Sequence, residues 1–353
     1  MIRHAYLALP GDLQTQTGGY VYARRMTHAL RELGWQMEIL SLPGAYPQPE
    51  AAARHAANAL FAGLPTESLV LWDGLALGAL PDVAHGHAAR LRLVALVHHP
   101  LAFETGLLPR QADQLRASEC EALQAVRRVV VTSDRTRKLL ASYHVRSECI
   151  AVVVPGCDRA PLARRRHLSA GTRQLLCVAT LTPRKGHELL LEALHTLQPA
   201  AWHLSCVGST DRHPAHARAI RDRIAALGLA DRVTLTGELS MSELRSQFLA
   251  SDLFVLPTLY EGYGMAVAEA LAYALPVVAT DTGAIPDLLA SGAGRCVPAG
   301  DIVSLTRALA ELLDTPGTLA SCAAAAERSR YSLPSWAEQA RRLADVLESV
   351  NEA

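Results

Sequence analysis

Tyr260-Glu261-Gly262-Tyr263-Gly264-Met265-Ala266-Val267-Ala268-Glu269 is the stretch whose reading decides the fold. It follows the apolar run Leu253-Phe254-Val255-Leu256, closed by Pro257, and leads into the good helix formers Ala268 to Ala272. It therefore reads as strand, glycine-rich turn, helix start. Such a turn aims backbone N–H groups and the positive end of a helix dipole at whatever sits above it. An anion, most often a phosphate, is the natural guest. Glu261 lies in the loop and Glu269 about one turn into the helix. A phosphate repels a carboxylate, whereas sugar hydroxyls donate to one, so the stretch suggests a ligand with both phosphate and sugar parts. The plainer reading is that strand, glycine turn and helix recur in every doubly wound protein, and that an early helical glutamate is simply good dipole chemistry. A dinucleotide fingerprint does not fit, because Val267 stands where its third glycine belongs and the stretch lies far from the N-terminal strand.

Working outward, short apolar strands alternate with helices on both sides of this stretch. In the first half, strands are expected at 5–9, 36–40, 69–72, 91–97, 129–131 and 150–154, with helices at 20–33, 51–61, 112–126 and 134–143. A polar loop from Pro10 to Gly19 ends in Thr17-Gly18-Gly19. In the second half, strands are expected at 175–179, 203–207, 233–236, 253–256 and 276–279, with a short one around 295–297. Capping boxes open helices at Ser240 with Glu243 and near Ser335 with Glu338. This alternation means α/β architecture, each half a parallel sheet with helices on both faces. Two Rossmann-like domains are expected: 1–158, a linker over 159–172, and 173–332, followed by a C-terminal helix in 333–353 that packs back on the first domain. The linker is rich in arginine, with Arg164-Arg165-Arg166 at its centre. A solvated linker is the better reading of that run, and contact with acidic lipid the alternative.

The notable residues stand at the expected carboxyl ends of strands, where ligands of such sheets bind. They are Gly18-Gly19, Asp73, His98-His99, Ser133, Lys185, Gly208, Gly237-Glu238 and the opening stretch. Two sheets facing each other would put them all on one cleft. The 353 residues are half apolar, enough for two substantial cores, and their formal charges cancel. The lack of a basic excess argues against a nucleic-acid partner. The seven cysteines are scattered, without a Cys-x-x-Cys pair. They read as reduced, mostly buried thiols of a cytoplasmic protein. The N-terminus runs straight into a strand with no signal peptide, and no apolar run is long enough to span a bilayer. His85, His87, His213 and His216 read as surface residues rather than metal ligands, since His213-x-x-His216 has no third ligand nearby.

At this point the residues resemble a family, the retaining GT-B glycosyltransferases of family 4 (glycosyl transferases group 1). Val153-Val154-Pro155-Gly156-Cys157-Asp158 is similar to the signature that precedes the family's linker, and Val178 to Gly186 to its phosphate-lysine loop. Glu261 to Glu269 is similar to its paired-glutamate motif, and Pro276 to Gly283 and Val297 to Asp301 follow in the family's order. The resemblance is specific in the second half and looser in the first. It implies a fold of two Rossmann-like domains facing each other across a cleft. It implies a sugar moved, with retention, from a UDP- or GDP-sugar to a lipid, saccharide or small-metabolite acceptor, without a metal or other cofactor. It places Lys185 on the donor diphosphate, the backbone of Gly262, Tyr263, Gly264, Met265 and Ala266 around phosphate and sugar, and Glu269 on the ribose. Glu261 would lie by the donor sugar, Gly18 and Gly19 would close on the diphosphate, and Gly237 and Glu238 would belong to the same donor site. His98 is the family's sugar-side histidine, with His99 one register step away. A cytoplasmic enzyme with peripheral membrane contact is the expected setting.

The chain departs from that pattern at Thr180, which replaces an arginine frequent in the family and removes a bidentate phosphate donor. Arg184 is the candidate substitute, although a solvent-facing arginine is the plainer reading of that position. Leu275, where the family usually has a glycine, reads as packing. Other readings of the same cleft are a nucleotide-sugar epimerase and a non-catalytic nucleotide-sugar-binding protein. A glycogen-type phosphorylase would need a much longer chain with a pyridoxal lysine, and a hydrolase would need two carboxylates flanking the bond.

Overall fold

A computed structural model of the chain describes residues 3–162, 171–197 and 200–351. The chain divides into two compact units, Met1–Gly156 with Pro334–Ala353, and Cys157–Leu333. Arg164-Arg165-Arg166, and with them most of the expected linker, lie outside the described residues.

The first unit holds six strands: β1 (His4–Pro10), β2 (Gln36–Leu42), β3 (Leu69–Asp73), β4 (Arg92–Val97), β5 (Arg128–Val131) and β6 (Ile150–Val152). They lie in the order β2-β1-β3-β4-β5-β6, every pair parallel. The second unit holds β7 (Arg173–Val178), β8 (Trp202–Val207), β9 (Val233–Gly237), β10 (Leu253–Leu256), β11 (Val277–Thr280) and β12 (Gly294–Val297). These lie in the order β12-β11-β10-β7-β8-β9, again all parallel. Central strands are apolar on both faces because helices cover both: every residue of β10 and of β11 is buried. Edge strands β2 and β9 mix buried and exposed positions, since one side of each has no neighbour.

Each sheet has a point where the strand order turns back. In the first it lies between β1 and β3, in the second between β7 and β10. At such a point the loops leaving two neighbouring strands go to opposite faces and leave a crevice beyond the strand ends, which is where ligands of open α/β sheets bind. The residues after these four strands are therefore the ones that the topology sets apart.

The strands fall within two residues of the expected spans; central ones such as β10 (LFVL) are unbroken apolar runs, whereas β2 (QMEILSL) and β9 (VTLTG) interleave polar residues. The helices differ more. Gly18 and Gly19 are not the end of a loop: they are the first turn of helix Gly18–Glu32, with Thr17 in the N-cap position. Helices Gly74–Leu77 and Pro81–Ala88 occupy a stretch where none was expected, the first capped by the Asp73 side chain accepting from Leu75 N at 2.9 Å. Helix Pro109–Gln124 starts three residues before the expected Ala112, at a proline suited to that position. Both capping boxes form: the Ser240 and Ser335 backbone N–H groups donate to Glu243 and Glu338 at 2.8 and 2.7 Å. All seven cysteines are unpaired, and three of them, Cys177, Cys206 and Cys322, are buried, fewer than expected. His87 is buried at 7% exposure rather than on the surface, its Nε2 2.9 Å from Asn58 Oδ1. Among the described residues no helix is long and apolar enough to cross a membrane.

The last helix, Trp336–Asn351, belongs to the first unit. The Trp336 ring meets the Tyr22 ring edge-on at 6.0 Å, with the Arg25 guanidinium 5.4 Å over it. Arg3 pairs with Glu348 at 2.8 Å, and Arg92 donates to Asn351 at 3.0 Å. Gly156 is what lets the helix start come this close: a Cβ there would stand 2.4 Å from the backbone N and Cα of Trp336. Gly156→Ala should therefore push Trp336 off Tyr22. Overpacking of this kind costs about 1–3 kcal/mol, read as a lower melting temperature in calorimetry, and an unchanged melting temperature would refute the contact.

Candidate functional site

In the second unit the crevice between β7 and β10 brings two sequence-distant loops together. The loop after β7 carries Thr180, Arg184 and Lys185, and the loop after β10 carries Thr258 to Gly264. They are stitched through backbone groups. Leu259 N donates to Arg184 O at 2.7 Å, and Thr258 Oγ1 bridges Arg184 O and Tyr260 O at 3.1 and 2.9 Å. Thr280, the last residue of β11, donates its hydroxyl to Thr258 O at 2.5 Å. Gly283 brings a third loop against the stretch: its φ is +54°, and a Cβ there would lie 2.3 Å from Glu261 O.

This frame holds one carboxylate between two cations. Lys185 Nζ donates to Glu261 Oε1 in a short contact, and Arg184 Nη1 lies 3.7 Å from the same oxygen while donating to Tyr260 O at 2.7 Å. The three side chains are only 17%, 17% and 13% exposed for Arg184, Lys185 and Glu261. Arg184 is thus not solvent-facing, which corrects the plainer sequence reading of that position. Two positive groups against one negative leave a net positive charge in a partly buried place. Screening by water is weak there, so the charge attracts an anion strongly.

The start of helix Met265–Ala272 adds to that field. Gly264 occupies the N-cap position with φ +94°, and a Cβ there would lie 2.8 Å from Ile285 Cγ1, so both conformation and space demand glycine. Among the described residues no side chain caps this helix and no acidic residue stands in its first turn. As at any helix start, the N–H groups of Met265 and Ala266 have no intrahelical carbonyl to bond, and helix starts of this kind favour anions. Gly262 and Tyr263 are buried, and Glu269 is half-buried, four residues and so one helical turn beyond Met265. Gly237 ends the edge strand β9 and Glu238 follows it, and Gly237 O accepts from Gly208 N at 3.0 Å. With β8 and β7 between, Glu238 stands roughly 14 Å across the sheet from the β10 loop, at the usual strand spacing. It is not in the Lys185–Glu261 cluster, though a nucleotide-sized ligand could span that distance.

In the first unit the crevice lies between β1 and β3, and three loops meet there. Gly19 follows β1, Asp73 ends β3, and His98 follows β4, the next strand. The His98 ring lies on Gly19: a Cβ at that position would be 3.3 Å from Cδ2 and 3.4 Å from Nε2. Tyr22 meets the ring edge-on at 5.2 Å, and Asp73 Oδ2 is 3.7 Å from Nε2. Burial pushes the His98 imidazole down to about 4, with the neighbouring His99 adding to the shift, and pushes Asp73 up to about 6. His99 faces elsewhere, its Nε2 3.6 Å from Glu104 Oε2. The structure thus separates the two histidines that sequence register left adjacent. Sequence reasoning placed Asp73 at a strand end without its partner, and missed Tyr22 and the Thr258–Thr280 chain, whose roles show only when neighbouring strand ends are superimposed.

The small residue at position 19 thus has a local cause: it makes room for His98. Gly19→Ala should displace the ring by a few tenths of an ångström and shift the His98 side-chain resonances in NMR, whereas an unchanged His98 spectrum would show that the packing does not matter.

The chain's second half, residues 172–315, matches the sequence model of the glycosyl transferases group 1, and residues 17–160 match that of Glycosyltransferase Family 4. It is 31% identical over 264 residues to a D-inositol 3-phosphate glycosyltransferase of Thermobispora bispora, covering 70% of this chain and 61% of that protein. The chain therefore spans less than two thirds of that relative. It is 28% identical over 305 residues to a GDP-mannose-dependent alpha-(1-6)-phosphatidylinositol monomannoside mannosyltransferase of Mycolicibacterium smegmatis, covering 80% of this chain and 77% of that one. Among solved structures, sucrose-phosphate synthase of Thermosynechococcus elongatus has the same fold, with a TM-score of 0.82 at 20% identity over 99% of each chain. With the two matches together taking in both units, and with the fold shared with a GT-B enzyme, the chain belongs to the group 1, family 4 glycosyltransferases.

Proposed function

We propose that the protein transfers a sugar from a nucleoside diphosphate sugar to a hydroxyl-bearing acceptor, with retention of anomeric configuration. The observation that carries this reading is the partly buried Lys185–Glu261–Arg184 cluster, together with the start of helix Met265–Ala272, which has no side-chain cap. A cluster with surplus positive charge suits a diphosphate, and the carboxylate within it suits the sugar attached to that diphosphate. UDP and GDP are the candidate nucleotides; the mannosyltransferase relative, which is GDP-mannose-dependent by name, favours the second. Saccharide and lipid hydroxyls are the acceptor classes that the relatives' names suggest.

In this reading the diphosphate takes the N–H groups of Met265 and Ala266 and competes with Glu261 for Lys185. Glu261, released from the lysine, turns to the donor sugar. Glu269 holds the ribose hydroxyls, which lie one helical turn from the phosphate. As the glycosidic bond stretches, positive charge develops at the anomeric carbon and negative charge on the leaving oxygen. Lys185 and Arg184 stabilise that negative charge more in the transition state than in the ground state, which is the condition for faster turnover. These cations and amides do the work a metal ion would otherwise do, so the proposed reaction needs none. The leaving phosphate accepts the acceptor's proton. His98, by the family resemblance, hydrogen-bonds a sugar hydroxyl.

Lys185→Ala should lower turnover at least tenfold, or about 1.4 kcal/mol of transition-state stabilisation. Arg184→Ala should act in the same direction but less, because its guanidinium already holds the Tyr260 carbonyl. Steady-state kinetics with GDP-mannose and UDP-glucose decide this, and full activity in the lysine variant would remove the diphosphate assignment. Glu269→Gln should weaken binding of the free nucleoside diphosphate, since a hydrogen bond to a charged group contributes roughly 1.5–3 kcal/mol. Calorimetry showing equal affinity in the variant would take Glu269 off the ribose.

A further inference from the structure

We infer that Asp73 is a positioning residue for His98, fixing the neutral imidazole as the tautomer with hydrogen on Nε2 and leaving Nδ1 as an acceptor. The inference deepens the glycosyl-transfer reading and rests on it for the kinetic consequence alone.

His98 Nε2 is buried and has no hydrogen-bond partner among the described residues. A buried polar atom in that condition calls for an explanation. The ring has little freedom to find another partner. Gly19 lies flat against its Cδ2–Nε2 edge, and Tyr22 stands edge-on to it. The Tyr22 hydroxyl is already committed, donating to Val153 O at 3.2 Å. The His98 carbonyl is held by Thr132 Oγ1 at 3.2 Å, which fixes the backbone beneath the ring. Asp73 Oδ2, at 3.7 Å, is the carboxylate oxygen that faces Nε2.

Asp73 is itself held by backbone hydrogen bonds from Leu75 and Ala76. Its Oδ1 accepts from Leu75 N at the start of helix Gly74–Leu77, so Oδ2 is the oxygen turned to the histidine. The pairing of Asp73 with Leu96 across β3 and β4 puts His98 two residues beyond that rung, on the same end of the sheet. The 3.7 Å separation is longer than a hydrogen bond, and contacts of this kind in ligand-free proteins commonly tighten when a ligand closes on them. Burial keeps the imidazole neutral at pH 7 and leaves the carboxylate, shifted up to about 6, mainly ionised. An ionised carboxylate can only accept, so the hydrogen that faces it belongs to Nε2. A neutral imidazole with its hydrogen there presents Nδ1 as an acceptor, which suits a sugar hydroxyl. The opposite tautomer would present a second donor instead.

Long-range proton–nitrogen NMR of the full chain at pH 7.5 tests this, with His98→Ala used to assign the ring. The expected spectrum has a protonated Nε2 and an unprotonated Nδ1 in the wild type. Asp73→Asn keeps the cap on Leu75, because asparagine is an equally good N-cap, and its amide can donate to Nε2. That variant should shift the ring toward hydrogen on Nδ1, lower kcat at least tenfold and leave the nucleotide dissociation constant unchanged. Hydrogen on Nδ1 in the wild type, or an unaltered tautomer in Asp73→Asn, would overturn the inference. The spectrum is independent of turnover: the expected tautomers in a chain that transfers no sugar would sink the glycosyl-transfer reading and leave the positioning role standing.

Discussion

The second unit depends on a carboxylate shared by two cations. Glu261 sits between Lys185 and Arg184 with all three largely out of water, and the loops that present them are joined through the Arg184 carbonyl. Burying three charges is not an efficient way to stabilise a fold, because desolvation offsets much of the Coulomb attraction. An apolar cluster in the same place would serve stability as well. The arrangement fits the proposed anion site, in which a diphosphate would take the place of Glu261 beside Lys185. The backbone carbonyls of Arg184, Thr258 and Tyr260, each engaged, keep the two loops in register for that exchange.

Both units place their distinctive residues by the same device. A parallel sheet has all its carboxyl ends on one side, and where the strand order turns back the loops separate. In the second unit that point opens between β7 and β10, directly under Lys185 and Glu261. In the first it opens between β1 and β3, where Gly19 and Asp73 stand, with His98 on the adjoining strand end. The first crevice sets a neutral imidazole against one carboxylate. The second carries surplus positive charge.

The last helix shows a different kind of dependence. It follows the second unit in sequence but belongs to the first, and its start fits only because residue 156 has no side chain. Gly156 is part of a motif that resemblance explains by family, yet its physical cause here is steric: the backbone of Trp336 occupies the space of a Cβ. Gly19 likewise has a packing cause, the His98 ring, beneath any role in approaching a ligand. Gly19, read from sequence as a ligand-approach point, and Gly156, read as part of a family signature, are both contact points within the protein.

What the sequence determined by itself is the set of elements and their order. Twelve apolar runs, bounded by glycine, proline and polar turn residues, are long enough and hydrophobic enough to be strands in either half. The capping boxes at Ser240 and Ser335 mark helix starts because their hydrogen bonds are local. The glycine-rich turn at Gly262 and Gly264 was legible for the same reason, and so were Lys185, Glu261 and Glu269 as candidates. What only the tertiary structure decided is which of these meet. Arg184 reads as an exposed loop residue until Tyr260, 76 positions away, supplies its carbonyl. His98 and His99 are equivalent by register until Gly19 and Asp73 claim one and Glu104 the other. Gly18-Gly19 reads as loop because glycine is a poor helix former, yet it is the first turn of a helix that buries Tyr22, Ala23, Met26 and Leu30. Short helices such as Gly74–Leu77 carry too few residues to show a period, and a side chain at the end of the preceding strand sets them. Local hydrogen bonding and hydrophobic periodicity are written along the chain; contacts between strand ends depend on the order in which strands join the sheet, and that order is a property of the whole fold.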